Sequence, residues 1–388
     1  MNRPHVAISA LERDSLVLAA ASRAMLALLV WLMLRVIPKL PLYPTQLPDS
    51  FFPGHPWIDG WARWDSAHYV AVARFGYGDP ASPSPDGGIG FFPLYPMLMR
   101  FPAQLLGLGD SNAALAAIGL VIAIVCFFGA TVLFARLAAE TLELDEARFA
   151  TALFLLAPFA FFYTTVYTES LFVLEVLGAI WFARRGQWWY AGIVAGLASA
   201  TRLVGVAVIA GVLWGAWRSG MARSRLIPLA MLGVSGVGAF FLGLWWRFDG
   251  PLAYFHTQAR WGGWQEHVWF YVKLFVIHPR EALQGDPRHL VILGNVALGL
   301  ICLTLVPHMF RNLDPTTAMI SALLVVGQFL ITWVSLGRYL LPAVGIYLTV
   351  AIMLRGPEWV GVRQSILTVS TVAMTGLALL YAVGFWVI

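Results

Sequence analysis

The chain has 388 residues, 60% hydrophobic and 12% charged, with a formal net charge of +5. An ordinary soluble domain carries roughly 25% charged residues, and mean hydropathy here is +0.75. These figures exclude a soluble globular protein, a disordered chain and a disulfide scaffold, and leave a polytopic membrane protein. The pI near 9.4 does not point to nucleic acid, because the basic residues sit at the ends of apolar runs rather than on one face. Cys126 and Cys302 both lie inside apolar runs, with no metal or redox spacing.

A helix needs about 20 apolar residues to cross a bilayer. In chain order the candidate runs are 16–37, 113–135, 149–165, 168–183, 189–201, 203–217, 226–246, 290–310, 316–334, 339–354 and 366–386. They predict an all-α polytopic fold of about eleven transmembrane helices, within a range of about 10–12. The first run, Ser15–Ile37, holds Arg23 and lacks a cleavage site, so it reads as an uncleaved span. No lipidation or retention signal ends the chain. The stretches 149–183 and 188–217 are too long for one helix and too short for two full spans. Each predicts a pair of short helices, broken at Thr164–Thr168 and near Arg202.

Arg184 and Arg185, then Arg218, Arg223 and Arg225, then Arg311, then Arg355 and Arg363 fall in alternate short loops. The positive-inside rule places those loops and the N-terminus in the cytoplasm, and an odd number of spans places the C-terminus outside. Two long loops, 38–112 and 247–289, then face outward. Long loops without secondary structure of their own are uncommon and often functional. Both are rich in aromatic residues and proline. Trp57, Trp61, Trp64, Trp261, Trp264 and Trp269 suit an interfacial aromatic belt.

Within the first loop, residues 59–75 predict an interfacial helix with Asp65, His68, Tyr69 and Val72 on one face. Residues 79–90 form a Pro/Gly/Ser turn segment. Residues 91–106 carry Pro93, Pro96 and Pro102 and predict short broken pieces rather than a twelfth span.

Ionisable groups beside membrane spans call for a functional hypothesis. Asp65, next to Trp64 and one turn before His68 and Tyr69, is placed as a general base toward a surface substrate. The plain alternative is a helix cap or a solvated carboxylate. Glu169, in TTVYTES, sits at a predicted helix start, where it either positions a sugar hydroxyl or stands beside a capping Thr168 or Ser170. Arg202 in SATRLVG and Arg338 in LGRYLLPA can grip a lipid phosphate with paired hydrogen bonds. They equally suit snorkelling or an ion pair with Asp65 or Glu169. His256 follows a span on the second loop and gains interest only if the two loops meet. There is no HExxH, DxD, P-loop or dinucleotide fingerprint. The Glu143-Leu144-Asp145 pair falls on the inner side among other charges. No cofactor is certain from the sequence, and a divalent cation stays open as a participant although no motif is present to hold it.

The blocks RWDSAHYVAVARFGYG, FFPLYPML, YTESLF, ATRLVG, GPLAYFHTQARW and GRYLLPA appear in that order. Together they resemble the PIG-V type mannosyltransferases, which add the second mannose in GPI-anchor synthesis, and their bacterial relatives, within the GT-C superfamily of multi-span glycosyltransferases. The resemblance runs from about Trp61 to Pro342. It implies a GT-C-like fold and one transmembrane catalytic domain over 1–388. It also implies an inverting transfer, of mannose above all, from a polyprenyl-phosphate donor on the outer or lumenal face. The superfamily's acidic residue in the first outer loop matches Asp65, the YSESLF-like block brings Glu169, and the later blocks bring Arg202 and Arg338. On this basis Asp65 is the expected base. Arg202 and Arg338, with His256, are the expected donor-phosphate ligands. Trp64, His68, Tyr69 and Glu169 are expected to line the acceptor cavity. The expected partners are the polyprenyl-phosphate sugar, membrane lipids and a lipid, glycan or protein acceptor, with no nucleic acid. The short inner loops and the bias toward Arg suggest a bacterial plasma membrane, or the endoplasmic reticulum for a eukaryotic chain. A transporter or lipid flippase is the main alternative. It would gather polar groups at mid-bilayer in repeated broken helices, whereas this chain gathers them at outer span ends. A non-catalytic scaffold subunit is a third reading, and in it Asp65 would be dispensable.

Overall fold

The computed structural model describes residues 5–40, 50–83, 87–248, 250, 252–260, 269–284 and 288–387. All regular structure among them is helical. The long helices are α1 (His5–Val36), α5 (Asn112–Thr141), α10 (Arg223–Phe248), α13 (Arg288–Asn312) and α17 (Val360–Val383). Among the described residues these regions supply five helices long and apolar enough to cross a membrane, so this is an integral membrane protein. The other apolar runs hold shorter helices. They are α6 (Leu144–Leu156), α7 (Glu169–Arg184), α8 (Trp188–Thr201), α9 (Val206–Arg218), α14 (Pro315–Ile331) and α16 (Gly345–Met353). Each of the eleven predicted runs therefore carries a helix, but five reach full crossing length.

Both predicted breaks are present, and each has a local cause. Helix α6 ends before Pro158, whose ring disfavours helical backbone at the preceding residue. A 3₁₀ turn over Ala160–Thr164 follows, and α7 starts at Glu169. The carbonyls freed by this break are taken by a cation from α1. Arg23 Nη2 donates to Ala160 O at 2.9 Å and Leu155 O at 3.3 Å. Its guanidinium lies 4.4 Å from the Phe127 ring centre. At the second break Arg202 takes an extended backbone (φ −154°, ψ 148°), and a 3₁₀ turn, Leu203–Gly205, leads into α9.

Small residues let the helices meet at backbone distance, as membrane packing requires. A Cβ on Gly236 of α10 would lie 2.2 Å from Gly196 O of α8. Ser199 Oγ bridges the same contact, donating to Gly233 O at 3.0 Å and accepting from Val237 N at 3.1 Å. At the C-terminal end of α7, Arg184 pairs with Asp314 at 2.8 Å and Arg185 with Glu140 at 2.5 Å. The Arg184–Arg185 loop, with Asp314 and Glu140 beside it, thus lies at the opposite end of α7 from Glu169.

The first long loop differs in detail from the sequence expectation. In place of one helix over 59–75 there are α2 (Pro56–Asp59) and α3 (Ser66–Phe75), separated by a turn. Asp59 is fully buried and forces the turn. It pairs with Lys39 and accepts from Phe51 N at 2.7 Å and Phe52 N at 3.2 Å. The proline-rich stretch forms one helix, α4 (Leu94–Leu105), rather than broken pieces. Pro93 and Pro96 fall at its start, where the missing N–H has no intrahelical partner to lose, and only Pro102 interrupts it. Residues 84–86 of the turn segment lie outside the described residues. So do Trp261 and Trp264 of the second loop, which otherwise contains α11 (Ala253–Arg260), a π-helical stretch over Lys273–Ile277 and α12 (Pro279–Gln284). Trp57 and Trp269 are exposed, as a belt requires, but Trp61 is buried in the core and Trp64 half-buried.

Candidate active site

Asp65 stands at the start of α3, and three contacts fix the turn that presents it. The backbone of Val166 donates to Trp61 O at 3.0 Å. The Tyr167 hydroxyl accepts from Asp65 N at 3.1 Å and donates to Arg63 O at 3.1 Å. Tyr381 of α17 donates to the same Arg63 carbonyl at 3.1 Å. Trp64 is held at φ +55°, an uncommon conformation for a residue with a side chain. The Asp65 carboxylate makes no capping bond to α3, which sets aside the helix-cap alternative. The carboxylate is 28% exposed, so one edge faces open space.

Arg338 approaches from the other end of the sequence, on the short helix α15 (Leu336–Tyr339). Its turn is clamped by Asn295 of α13, which accepts from Gly337 N at 3.3 Å and donates to Trp333 O at 3.3 Å. Gly337 admits no side chain, since a Cβ there would lie 2.1 Å from the Phe159 ring. Arg338 Nη1 donates to Asp65 Oδ2 at 3.0 Å and Nη2 to the Tyr339 hydroxyl at 3.0 Å. Its Nε lies 3.4 Å from Glu169 Oε1. Arg202 Nη1 donates to that same Glu169 oxygen at 2.9 Å and to Thr168 Oγ1 at 3.3 Å.

The charged candidates of the first loop and of the short-helix ends therefore form one alternating chain, Asp65–Arg338–Glu169–Arg202. Its formal charge is zero, which is how two arginines can be buried here at all. Arg338 and Glu169 are 3% and 1% exposed, whereas Arg202 and Asp65 are 17% and 28% exposed. The open edge of the cluster is thus an acid at one end and a base-paired cation at the other. Arg202 Nε and Nη2 and Asp65 Oδ1 make no hydrogen bond among the described residues.

The remaining candidates divide. Tyr69 joins the cluster through Thr168 Oγ1 at 3.3 Å, and burial raises its phenol above the usual range, with Glu169 acting in the same direction. His68 stacks on Phe91, ring centres 4.7 Å apart. Burial lowers its pKa below the ordinary histidine value, with Asp65 opposing. His256 lies on the exposed side of α11. The inward side carries Tyr254 and Thr257, both buried, and Gln258, which donates to Gly90 O at 3.3 Å. The two loops do meet, but through Gln258 rather than His256. Tyr167, Thr168 and Tyr339 complete the cluster. Each stood inside a quoted block, hidden by its uncharged side chain. Among the described residues no group of three or more His, Cys, Asp or Glu is placed to hold a metal ion.

Residues 53–248 match the family described as Mannosyltransferase (PIG-V). The chain belongs to the PIG-V mannosyltransferase family. The matched region contains Asp65, Glu169 and Arg202, while Arg338 lies beyond it. Among curated relatives, GPI alpha-1,6-mannosyltransferase 2 of Cricetulus griseus is 28% identical over 163 residues, 38% of this chain and 30% of that protein. The Mus musculus protein of the same name is 26% identical over 179 residues, 42% of this chain and 33% of that protein. The PIG-V chain here thus aligns with about a third of the length of the curated relatives it matches. Among solved structures, the apo Archaeoglobus fulgidus oligosaccharyltransferase aligns with a TM-score of 0.49 and 13% identity, over 95% of this chain and 56% of that one. At that score the likeness carries no argument about function.

Proposed function

We propose that this PIG-V family protein is a GT-C-like mannosyltransferase that moves a sugar from a polyprenyl-phosphate donor to an acceptor hydroxyl at the outer membrane face. The observation that carries the reading is the buried chain of two carboxylates and two guanidiniums, open at Asp65 and Arg202. Outer-face action is supported by its position, opposite the arginine-rich ends of the bundle.

The roles follow from which atoms are spare. Asp65 Oδ2 is held by Arg338, and Oδ1 is free to take the proton of the acceptor hydroxyl as that oxygen attacks the anomeric carbon. The bond from that carbon to the phosphate oxygen breaks, and the lipid phosphate leaves with the electron pair. Attack opposite the leaving group inverts the anomeric centre. Arg202, with Nε and Nη2 spare, grips the phosphate, and Arg338 adds a fixed positive charge while orienting Asp65. Glu169 holds both arginines at the spacing this needs. Trp64, His68 and Tyr69 line the acceptor side. His256 enters the donor side only if α11 turns its exposed face inward.

The test is sugar transfer in nanodiscs with synthetic polyprenyl-phosphate mannose and a panel of lipid, glycan and peptide acceptors. Transfer, or slow donor hydrolysis, is expected in the wild type and lost in Asp65→Asn. A protein that neither binds nor turns over any polyprenyl-phosphate sugar would defeat the reading.

A further inference from the structure

Tyr339 holds a position that the charges around it do not explain. Its ring lies against both arginines, with the Arg202 guanidinium carbon 4.6 Å and the Arg338 guanidinium carbon 4.7 Å from the ring centre. Such contacts offset part of the desolvation of each cation with the electron-rich ring. The hydroxyl accepts from Arg338 Nη2 at 3.0 Å. A phenol has one proton to give as well as lone pairs to receive, and among the described residues the Tyr339 hydroxyl donates to nothing. The residue is half-buried.

We propose that the Tyr339 hydroxyl is a third phosphate ligand, donating to a non-bridging oxygen of the lipid phosphate alongside Arg202. The role rests on the donor assigned above. An anion gripped by Arg202 lies beside the ring that both guanidiniums contact. The Arg338 hydrogen bond polarises the phenol and makes it a better donor toward a negative oxygen. Aspartate or glutamate in that place would cancel the arginines, and serine would not reach as far. A neutral, rigid donor adds a directed hydrogen bond without altering the charge of the cluster. Tyr339 therefore distinguishes a phosphate from an uncharged headgroup, and it steadies the same oxygens as the bond to the sugar breaks.

The test compares wild type, Tyr339→Phe and Tyr339→Leu in nanodiscs, with polyprenyl phosphate and uncharged polyprenol as probes. Phenylalanine keeps the ring against the arginines and removes only the hydroxyl. Tyr339→Phe is expected to bind polyprenyl phosphate about tenfold more weakly, the scale of one hydrogen bond to a charged group. It should bind polyprenol as the wild type does, with an unchanged melting temperature. Its kcat/KM for polyprenyl-phosphate mannose should fall at least as far. Tyr339→Leu should lose more affinity and also melt earlier, because both guanidiniums lose the ring. Wild-type phosphate affinity and turnover in Tyr339→Phe would overturn the proposal while leaving the donor assignment standing. A wild-type protein that binds no polyprenyl phosphate would overturn both.

Discussion

Arg338 Nη1 lies 3.0 Å from Asp65 Oδ2 across 273 positions of sequence, and both partners are delivered by strained backbone. Among the described residues the non-glycine positions with positive φ are Trp64 at +55° and Ser335 at +62°. One precedes Asp65 directly and the other opens the helix that carries Arg338. Such strain persists where the surroundings over-determine it, and it gathers at functional sites. Here the over-determination is visible in Tyr167 and Tyr381 on one side and Asn295 on the other.

Asp65→Asn is expected to abolish transfer while the protein still folds and binds donor. Asparagine can still accept from Arg338, and the carboxylate is partly exposed, so little stability is at stake. Loss of a general base costs about 10²–10⁴ in rate. Steady-state transfer and a melting curve on the same nanodisc preparation check both halves.

Glu169→Gln should be far more damaging to the fold. It neutralises the buried carboxylate that pairs with both arginines, whereas the partly exposed Asp65 pairs with Arg338. Breaking one partner of a buried pair costs about 3–5 kcal/mol. The melting temperature should fall well below that of Asp65→Asn, and a variant as stable as Asp65→Asn would show that the pairs carry no such weight.

Glu175 lies on α7 and reaches Thr201, the last residue of α8. Thr201 Oγ1 is 2.8 Å from Glu175 Oε1 and 3.0 Å from Leu197 O. The two acceptors share the one hydroxyl proton, with the shorter contact to Glu175. A glutamine amide donates as well as accepts, so Glu175→Gln should keep activity and stability. Glu175→Ala should lose both, because the end of α8 that aims Arg202 loses its anchor. Paired activity and melting assays separate the two variants.

His68 sets a pH dependence of stability. Its folded pKa lies below the ordinary histidine value because of burial, with Asp65 opposing, so the unfolded chain binds a proton that the folded one does not. Stability contributed by the neutral ring is complete above the ordinary value of about 6.5 and is lost as pH falls below it, down to the folded pKa. The melting temperature should therefore drop more steeply in wild type than in His68→Gln between about pH 7.5 and about pH 5.5. Parallel slopes would show that His68 stays neutral in both states or in neither.

Gly337→Ala should reduce transfer by displacing the Arg338 turn, since the added methyl would meet the Phe159 ring. A second change, Phe159→Leu, opens that space and should restore part of the activity. Transfer rates of the single and double variants decide it.

The sequence by itself determined the membrane class, the eleven apolar runs, both helix breaks and the family. Hydropathy, proline placement and short motifs are local properties, and they survive without knowledge of packing. It also supplied Asp65, Glu169, Arg202 and Arg338 as candidates, because a charge beside an apolar run stands out. Only the tertiary structure decided that these four form a single chain, that Tyr339 packs against both of its cations, and that α11 turns His256 outward while Gln258 reaches the first loop. It also replaced the expected 59–75 helix with a turn around buried Asp59. The physical reason is the same in each case. A buried charge takes its partner from whatever the fold brings near, and Arg338 finds Asp65 through the packing of α13, α17 and the 157–168 segment, none of which is encoded in the spacing of either residue.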